Sequence, residues 1–290
     1  MRRIFPTAVA GITALAATLI TAGMASASTG TVQISPEEAG YSATGAQFQT
    51  VSASVYLRNP EQYATEVSGY GHSVQLWSSG LVLVLGVSDT TAAGSKAAGF
   101  SPAVAVFDRT THALLAASAN GTIPAQWCPA GGSCQPATSG GSFAVGMTVT
   151  ERMHYSTSTG TANFKATDTA GDVFTASYSA GLGQSFNQAR IGTEFSVDPW
   201  TAPSYSPPAN FTKIGVYNDA RLVTYSGHAS TLTSWWVHHA LEANTNAQSV
   251  SGDWVAIPTF LYNSGASFQT FFVPTSAQSE PQVAPMAPAG

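Results

Sequence analysis

Charge is what this sequence has least of. Ten Lys and Arg with 15 Asp and Glu make up 9% of its 290 residues, against about 25% in a typical soluble domain. A net formal charge of −5 excludes the basic face that nucleic acid demands, and the acids are too sparse for a solvating acidic tail. Amphipathic helical stretches of convincing length are missing as well, so helices are marginal and strands carry the fold. There is no Gly-x-Ser-x-Gly elbow and no phosphate-binding glycine loop, which removes the usual support for a serine hydrolase or a nucleotide enzyme. The closely spaced acids of sandwich glucanases, Glu-x-Asp-x-x-Glu, are absent; Glu194 and Asp198 come nearest, at the wrong spacing. A retaining glycosidase needs two carboxyl groups about 5–5.5 Å apart, and no second one offers itself. His238 and His239, with His228 ten residues earlier, do not make a metal centre: adjacent strand residues point to opposite faces, and a site needs three or four converging ligands. Neither a metal nor any other cofactor is expected.

What is present begins with an export signal. Met1-Arg2-Arg3 precedes an uncharged stretch from Ile4 to Gly23 and then Ala25-Ser26-Ala27, the small-x-small pattern of a signal peptidase site. Residues 1–27 therefore read as a signal peptide and the mature chain as secreted and extracellular. No later run reaches membrane length, so no membrane association is expected after cleavage. Only two cysteines occur, Cys128 and Cys134, in Trp-Cys-Pro-Ala-Gly-Gly-Ser-Cys. In an oxidising compartment this spacing predicts a disulfide across one surface loop.

Short β-type runs fill the rest. Val51, Ala53, Val55 and Leu57 alternate with polar residues, and Phe143, Val145, Met147 and Val149 do the same, the period-two pattern of strands with one buried face. Leu81 to Leu85 and Val104 to Phe107 are instead continuously apolar, which fits central strands covered on both sides or facing an apolar groove. Further strands are predicted at 72–77, 161–167, 173–179, 189–197, 211–218, 221–226, 232–240, 254–262 and 267–273. About a dozen strands without helices fit one two-sheet sandwich: a lead-in at 28–44, a single domain at 45–275, and a disordered tail at 276–290 carrying Pro281, Pro285 and Pro288. A monomer is expected. Trp77, Trp200, Trp235, Trp236 and Trp254 serve either as sugar-stacking platforms or, more ordinarily, as packing.

Two segments then carry a family likeness. Asn187-Gln-Ala-Arg-Ile-Gly-Thr-Glu-Phe195, followed by Pro208-Ala-Asn-Phe-Thr-Lys-Ile-Gly-Val-Tyr-Asn-Asp-Ala220, resembles the C-terminal half of the eqolisins, secreted glutamic peptidases. Their strand runs Asn-Ala-Glu-Trp-Ile-Val-Glu, and Phe-Ala-Asp/Asn-Phe-Gly-x-Val-x-Phe-x-x-Ala follows. Ala189 falls on the family's alanine and Glu194 on its catalytic glutamate, while Ala209, Phe211, Ile214, Tyr217 and Ala220 keep their places. Gly40-Tyr41, the strand from Phe48 to Leu57 and the apolar strands closed by Gly86-Val87 extend the likeness over roughly 40–226.

The resemblance implies an all-β, concanavalin-like (jelly-roll type) sandwich of two antiparallel sheets, with a polypeptide or polysaccharide bound in a groove on the concave face. It also exposes departures. Where the eqolisins read Ile-Leu-Gln-Thr-Gly, with the glutamine donating to the tetrahedral intermediate, this chain has Val84. Their Trp-Val-Gly-Ile-Asp-Gly corresponds to Ser73 through Ser78. The resulting expectation is a diverged, non-catalytic groove that binds a peptide or glycan. Trp77, Val84, Arg190 and Gly192 would be its lining residues, and Gly192 would leave open space between Arg190 and Glu194. On a strand, Arg190, Gly192 and Glu194 share a face, but Arg190 lies roughly 13 Å along from Glu194, too far for a direct ion pair. The alternative is an acid-active endopeptidase in which Glu194 works with Gln75, whose amide is in phase with Ser73 and Trp77.

Overall fold

The computed structural model describes residues 31–35, 38–58, 71–88, 99–194, 213–232, 241–250, 254–259 and 261–274. Residues 1–27, read as a signal peptide, the tail predicted at 276–290, Trp200, Trp235, Trp236, His238 and His239 lie outside them, as do the end of the strand predicted at 189–197 and all but Leu232 of the one at 232–240.

Among the described residues the chain forms strands with short 3-10 turns, at Ala137–Ser139 and at Leu232, and no α-helix. The strands are β1 (Thr31–Ser35), β2 (Glu38–Thr44), β3 (Phe48–Tyr56), β4 (Gly71–Trp77), β5 (Leu81–Ser88), β6 (Ser101–Asp108), β7 (Leu114–Ala117), β8 (Ala125–Cys128) and β9 (Gln135–Pro136). They continue with β10 (Thr148–Ser156), β11 (Thr161–Asp168), β12 (Val173–Ser179), β13 (Gln188–Glu194), β14 (Lys213–Thr224), β15 (Ala229–Ser230), β16 (Leu241–Val250), β17 (Trp254–Pro258) and β18 (Phe268–Pro274).

Two antiparallel sheets result. One runs β7-β6-β5-β4-β13-β2-β16, with β1 added parallel to β16. The other runs β14-β3-β10-β11-β12-β8-β9. β17 and β18 carry the pairing from β16 round to β14. Between the sheets, Val74 and Leu76 of β4, Leu83, Leu85 and Val87 of β5 and Ile191 of β13 pack with Val51, Ala53 and Val55 of β3, Met153 and Tyr155 of β10 and Phe164 of β11. All of these are nearly inaccessible to water, and their burial supplies the main drive to fold.

The two sheets differ in their outer faces, and this explains the apolar runs. Thr150, Arg152, Asn163 and Lys165 on β10 and β11 point to solvent, the ordinary half-wet pattern of an antiparallel sheet. Part of the outer face of β4, β5 and β6 is apolar too: Trp77, Val82, Val84 and Phe107 form a second, smaller cluster away from the core. Leu81 to Leu85 therefore divides itself between the core and an apolar groove, the second of the two arrangements its composition allowed. Cys128 and Cys134 form the expected disulfide, which ties β8 to the segment entering β9.

Four expectations need correction. The stretch from Phe143 to Val149 is no strand over most of its length: Phe143 makes an isolated bridge to Phe100, Gly146 adopts φ +87°, and β10 starts at Thr148. A left-handed glycine breaks the extended chain that the alternation implied. The separate strands at 211–218 and 221–226 are one strand, β14, because Asp219-Ala220 forms a bulge against β3, with Asp219 at φ +53°, rather than a turn. The run predicted at 254–262 ends as β17 at Pro258. The domain boundary at 45 is also too late: β2, inside the supposed lead-in at 28–44, is an interior strand between β13 and β16.

Opposite faces of β5 should respond differently to truncation. Leu85→Ala, which empties a site in the sealed core, should cost about 2–5 kcal/mol. Val84→Ala, on the groove face, should cost less than half as much, both measured by urea unfolding.

Candidate active site

β13 is the centre of the site because it pairs with β4 on one side and β2 on the other. Directly paired residues project to the same face of an antiparallel sheet. Arg190 is opposite Gln75 and Ser42; Gly192 is opposite Ser73 and Gly40; Glu194 is opposite Gly71 and Glu38. β5 continues the pattern, with Val84 opposite Gln75 and Gly86 opposite Ser73. Glu194, Gln75, Trp77, Val84, Arg190 and Gly192 therefore share the outer, groove-facing surface of one sheet.

Glu194 is 8% exposed. Its Oε1 accepts a 2.5 Å hydrogen bond from the Ser73 hydroxyl and a second from the Gln75 amide Nε2. The Gln75 amide is oriented in turn by the Trp77 indole, whose Nε1 donates to Gln75 Oε1 at 2.5 Å. Four strand positions, 73, 75, 77 and 194, thus form one chain of hydrogen bonds. Oε2 is on the side of Gly86, where a Cβ would stand 3.9 Å away; with no side chain at 86, β5 leaves that oxygen clear.

Beside the carboxyl is a cavity of about 350 Å³ lined by Glu194, Val84, Gly86, Ala103, Ala105, Phe107, Leu114 and Ala117. Val84 and Glu194 thus face the same hollow. Beyond Trp77, a polar hollow of about 510 Å³ is bounded by Thr44, Gln47, Arg109, Asn187 and Gln188. The same face of the sheet thus carries an apolar pocket beside the carboxyl and a separate polar hollow near Gln188.

Glu38 and Arg190 stand beside Glu194. Arg190 is mostly buried and pairs with Glu38: its Nη1 donates to Glu38 Oε2 at 3.1 Å, and its guanidinium lies 3.9 Å from the centroid of the Trp77 ring. The gap at Gly192 is occupied, with Glu38 Oε1 2.9 Å from where a Cβ would be. Trp77 offers no open stacking platform, being 4% exposed with Arg109 also over its ring at 5.4 Å. Sequence reasoning missed Glu38 and the bond from Ser73. The alternation of Glu38, Gly40, Ser42 and Thr44 with Ala39, Tyr41 and Ala43 was the signal that would have put Glu38 on this face.

Burial dominates the electrostatics. It raises the Glu194 pKa to about 8; the negative charge of Glu38 pushes the same way, while the bonds from Ser73 and Gln75 and the charge of Arg190 oppose it. Glu38 is also raised by burial, against the pull of Arg190. Behind the site, between the sheets, Glu151 is raised well above the usual carboxylate range by burial and by Glu194. His72 is held neutral by burial, with its pKa pushed down to about 3. Its Nδ1 lies 2.8 Å from the Tyr217 hydroxyl, which contacts Thr193 Oγ1 at 2.8 Å; this inner network anchors β4 and β13 to β14.

The sequence matches no protein-family model and is similar to no curated protein. In shape the chain is similar to scytalido-glutamic peptidase, solved with a transition state analog inhibitor, at a TM-score of 0.51 and 12% identity over 82% of this chain and 98% of that one. It is also similar to SCP-B, a member of the eqolisin family of peptidases solved with the tripeptide Ala-Ile-His, at a TM-score of 0.45 and 14% identity over 82% of this chain and 98% of that one. The first likeness shows the fold: an eqolisin-type β-sandwich, in agreement with the resemblance carried by residues 187–220.

A carboxyl whose pKa is higher folded than unfolded binds more protons in the folded state between the two values, so stability falls as pH rises through that interval. For Glu194 the interval runs from the ordinary 4.5 to about 8. Urea unfolding of the wild type should therefore show stability falling from pH 5 to pH 8. Glu194→Gln, whose amide oxygen still accepts from Ser73 and Gln75, should flatten that slope and be the more stable protein at pH 9, by about 2–5 kcal/mol.

Proposed function

We propose that this chain is a secreted, glutamate-dependent peptidase that hydrolyses polypeptides laid along the groove, with Glu194 as proton relay and Gln75 as oxyanion donor. The single observation that carries the reading is the pairing of the Gln75 amide with the buried Glu194 carboxyl, which lines an apolar pocket. Gln75 supplies from β4 the kind of donor that Val84 cannot supply from β5.

The chemistry follows from the two carboxyl oxygens. Oε1 accepts from two donors, so the proton of the neutral acid belongs on Oε2, on the Gly86 side. With a peptide in the groove, that proton passes to the scissile carbonyl oxygen as water adds to the carbon, and the oxygen is held by the Gln75 amide. The carboxylate then takes a proton from the added water. In the second half, Oε2 protonates the leaving nitrogen as the C–N bond breaks and recovers a proton from a hydroxyl of the intermediate. Glu194 ends as it began, and one water is consumed. Its raised pKa keeps the proton available through acidic and neutral pH.

The pocket beside Oε2 fits a large apolar side chain next to the cleaved bond, since Val84, Ala103, Ala105 and Phe107 line it. A polymer substrate agrees with a second hollow, near Gln188 and Arg109, beside the apolar pocket. The export signal and the disulfide support an extracellular setting.

Incubation with unfolded casein from pH 2 to 10 tests the reading. The wild type should cleave below pH 8 and lose activity as pH rises through about 8, because deprotonation removes the acid. Glu194→Gln should lower the rate by about 10²- to 10⁴-fold and Gln75→Ala by about 10²- to 10³-fold. Unchanged activity in either variant rejects its assigned role. Val84 favours a second reading, a non-catalytic peptide-binding groove, because the apolar floor needs no reacting group. A flat time course with saturable peptide binding would establish that reading instead. In the active case, Ala105→Leu should depress kcat/KM about tenfold or more for peptides with Phe or Leu beside the cleaved bond and leave Ala- or Gly-containing peptides nearly unaffected.

A further inference from the structure

Glu38 and Glu194 occupy directly opposed positions on β2 and β13, project to the same face, and are 2% and 8% exposed. Opposed residues of an antiparallel pair have Cβ atoms about 4.5–5.5 Å apart, and two carboxylates so close and so dry do not both ionise at moderate pH; they share a proton. The surroundings decide which one keeps it. Arg190 donates to Glu38 Oε2 at 3.1 Å, whereas the hydrogen bonds to Glu194 come from neutral donors, Ser73 and Gln75. Gly192 makes the arrangement possible, because any larger residue would meet the Glu38 carboxyl, with Oε1 2.9 Å and Cγ 3.1 Å from the position of its Cβ.

We propose that Glu38, clamped by Arg190, is a positioning residue that fixes one negative charge beside Glu194 and so keeps the proton on Glu194. The proposal rests on the peptidase reading only for its consequence in catalysis; the charge arrangement stands apart from it. The other titratable groups around Glu194 do not supply this charge. His72 on β4 and Tyr217 on β14 are buried and neutral. Glu151 on β10 is held protonated by burial. Arg109 is a cation beyond Trp77. Among the described residues of β5 and β6, the only charged side chain is Asp108, at the far end of β6, where Thr110 and Thr111 donate to it.

The test is a ¹³C-carboxyl NMR titration of glutamate-labelled protein, with Glu194 identified by the resonance lost in Glu194→Gln. Of the pair in the wild type, Glu38 should ionise before Glu194. Glu38→Gln retains the shape and an acceptor for Arg190 but removes the charge. It should lower the Glu194 midpoint by about one pH unit or more and move the alkaline limb of casein hydrolysis down with it. Glu38→Asp, which restores the charge, should bring both back toward wild type. An unmoved midpoint in folded Glu38→Gln overturns the proposal. So does wild-type protein in which Glu194 ionises before Glu38, a result that needs no variant to fold. A shifted midpoint in a protein that cleaves nothing would reject the peptidase reading and uphold the role of Glu38.

Discussion

The antiparallel register of β13 between β2 and β4 is the constraint on which the site depends. It sets Glu194 against Glu38, Gly192 against Ser73 and Arg190 against Gln75. Because side chains alternate strictly along a strand, a slip of one residue would send Glu194 into the core and bring Thr193 and Ile191 out to the groove. The inner side resists such a slip. Ile191 packs in the main core and Thr193 is hydrogen-bonded beneath the sheet to Tyr217 and Thr270. Packing on one face thereby holds the chemistry on the other.

The site is unusual in its economy of charge. A chain with so few ionisable residues places two carboxylates and an arginine on one dry surface and a third carboxylate, Glu151, behind it. Burying a charge is costly unless it is paired, and an acid can avoid the cost by keeping its proton. The Arg190 ion pair follows the first course for Glu38; protonation follows the second for Glu194 and Glu151. The stability the acids forgo at alkaline pH arises from the same burial that favours their protonated forms.

Much of the architecture was legible in the residues. The alternation in β3, the apolar runs of β5 and β6, and the ranges of β4, β11 and β12 all came through, because strands with a buried face print a period of two. Where readings failed, local conformation overrode composition: glycine at 146 ended a strand that alternation would have continued, and a bulge at Asp219-Ala220 replaced the turn that Asn218-Asp219 favours. β10 was largely hidden because its inward side carries Glu151 where an apolar residue was expected. Glu38 was hidden by its place in a segment that looked like a lead-in.

By itself the sequence determined the all-β class, the likeness of residues 187–220 to a glutamic peptidase, the disulfide partners and the phase shared by Ser73, Gln75 and Trp77, since each is a property of neighbours along the chain. Only the tertiary structure decided that Gln75 meets Glu194, that Glu38 fills the gap over Gly192, and that Arg190 serves Glu38. Those contacts join positions 119, 154 and 152 residues apart, and strand pairing over such distances depends on register and on packing beneath the sheet, neither of which local pattern records.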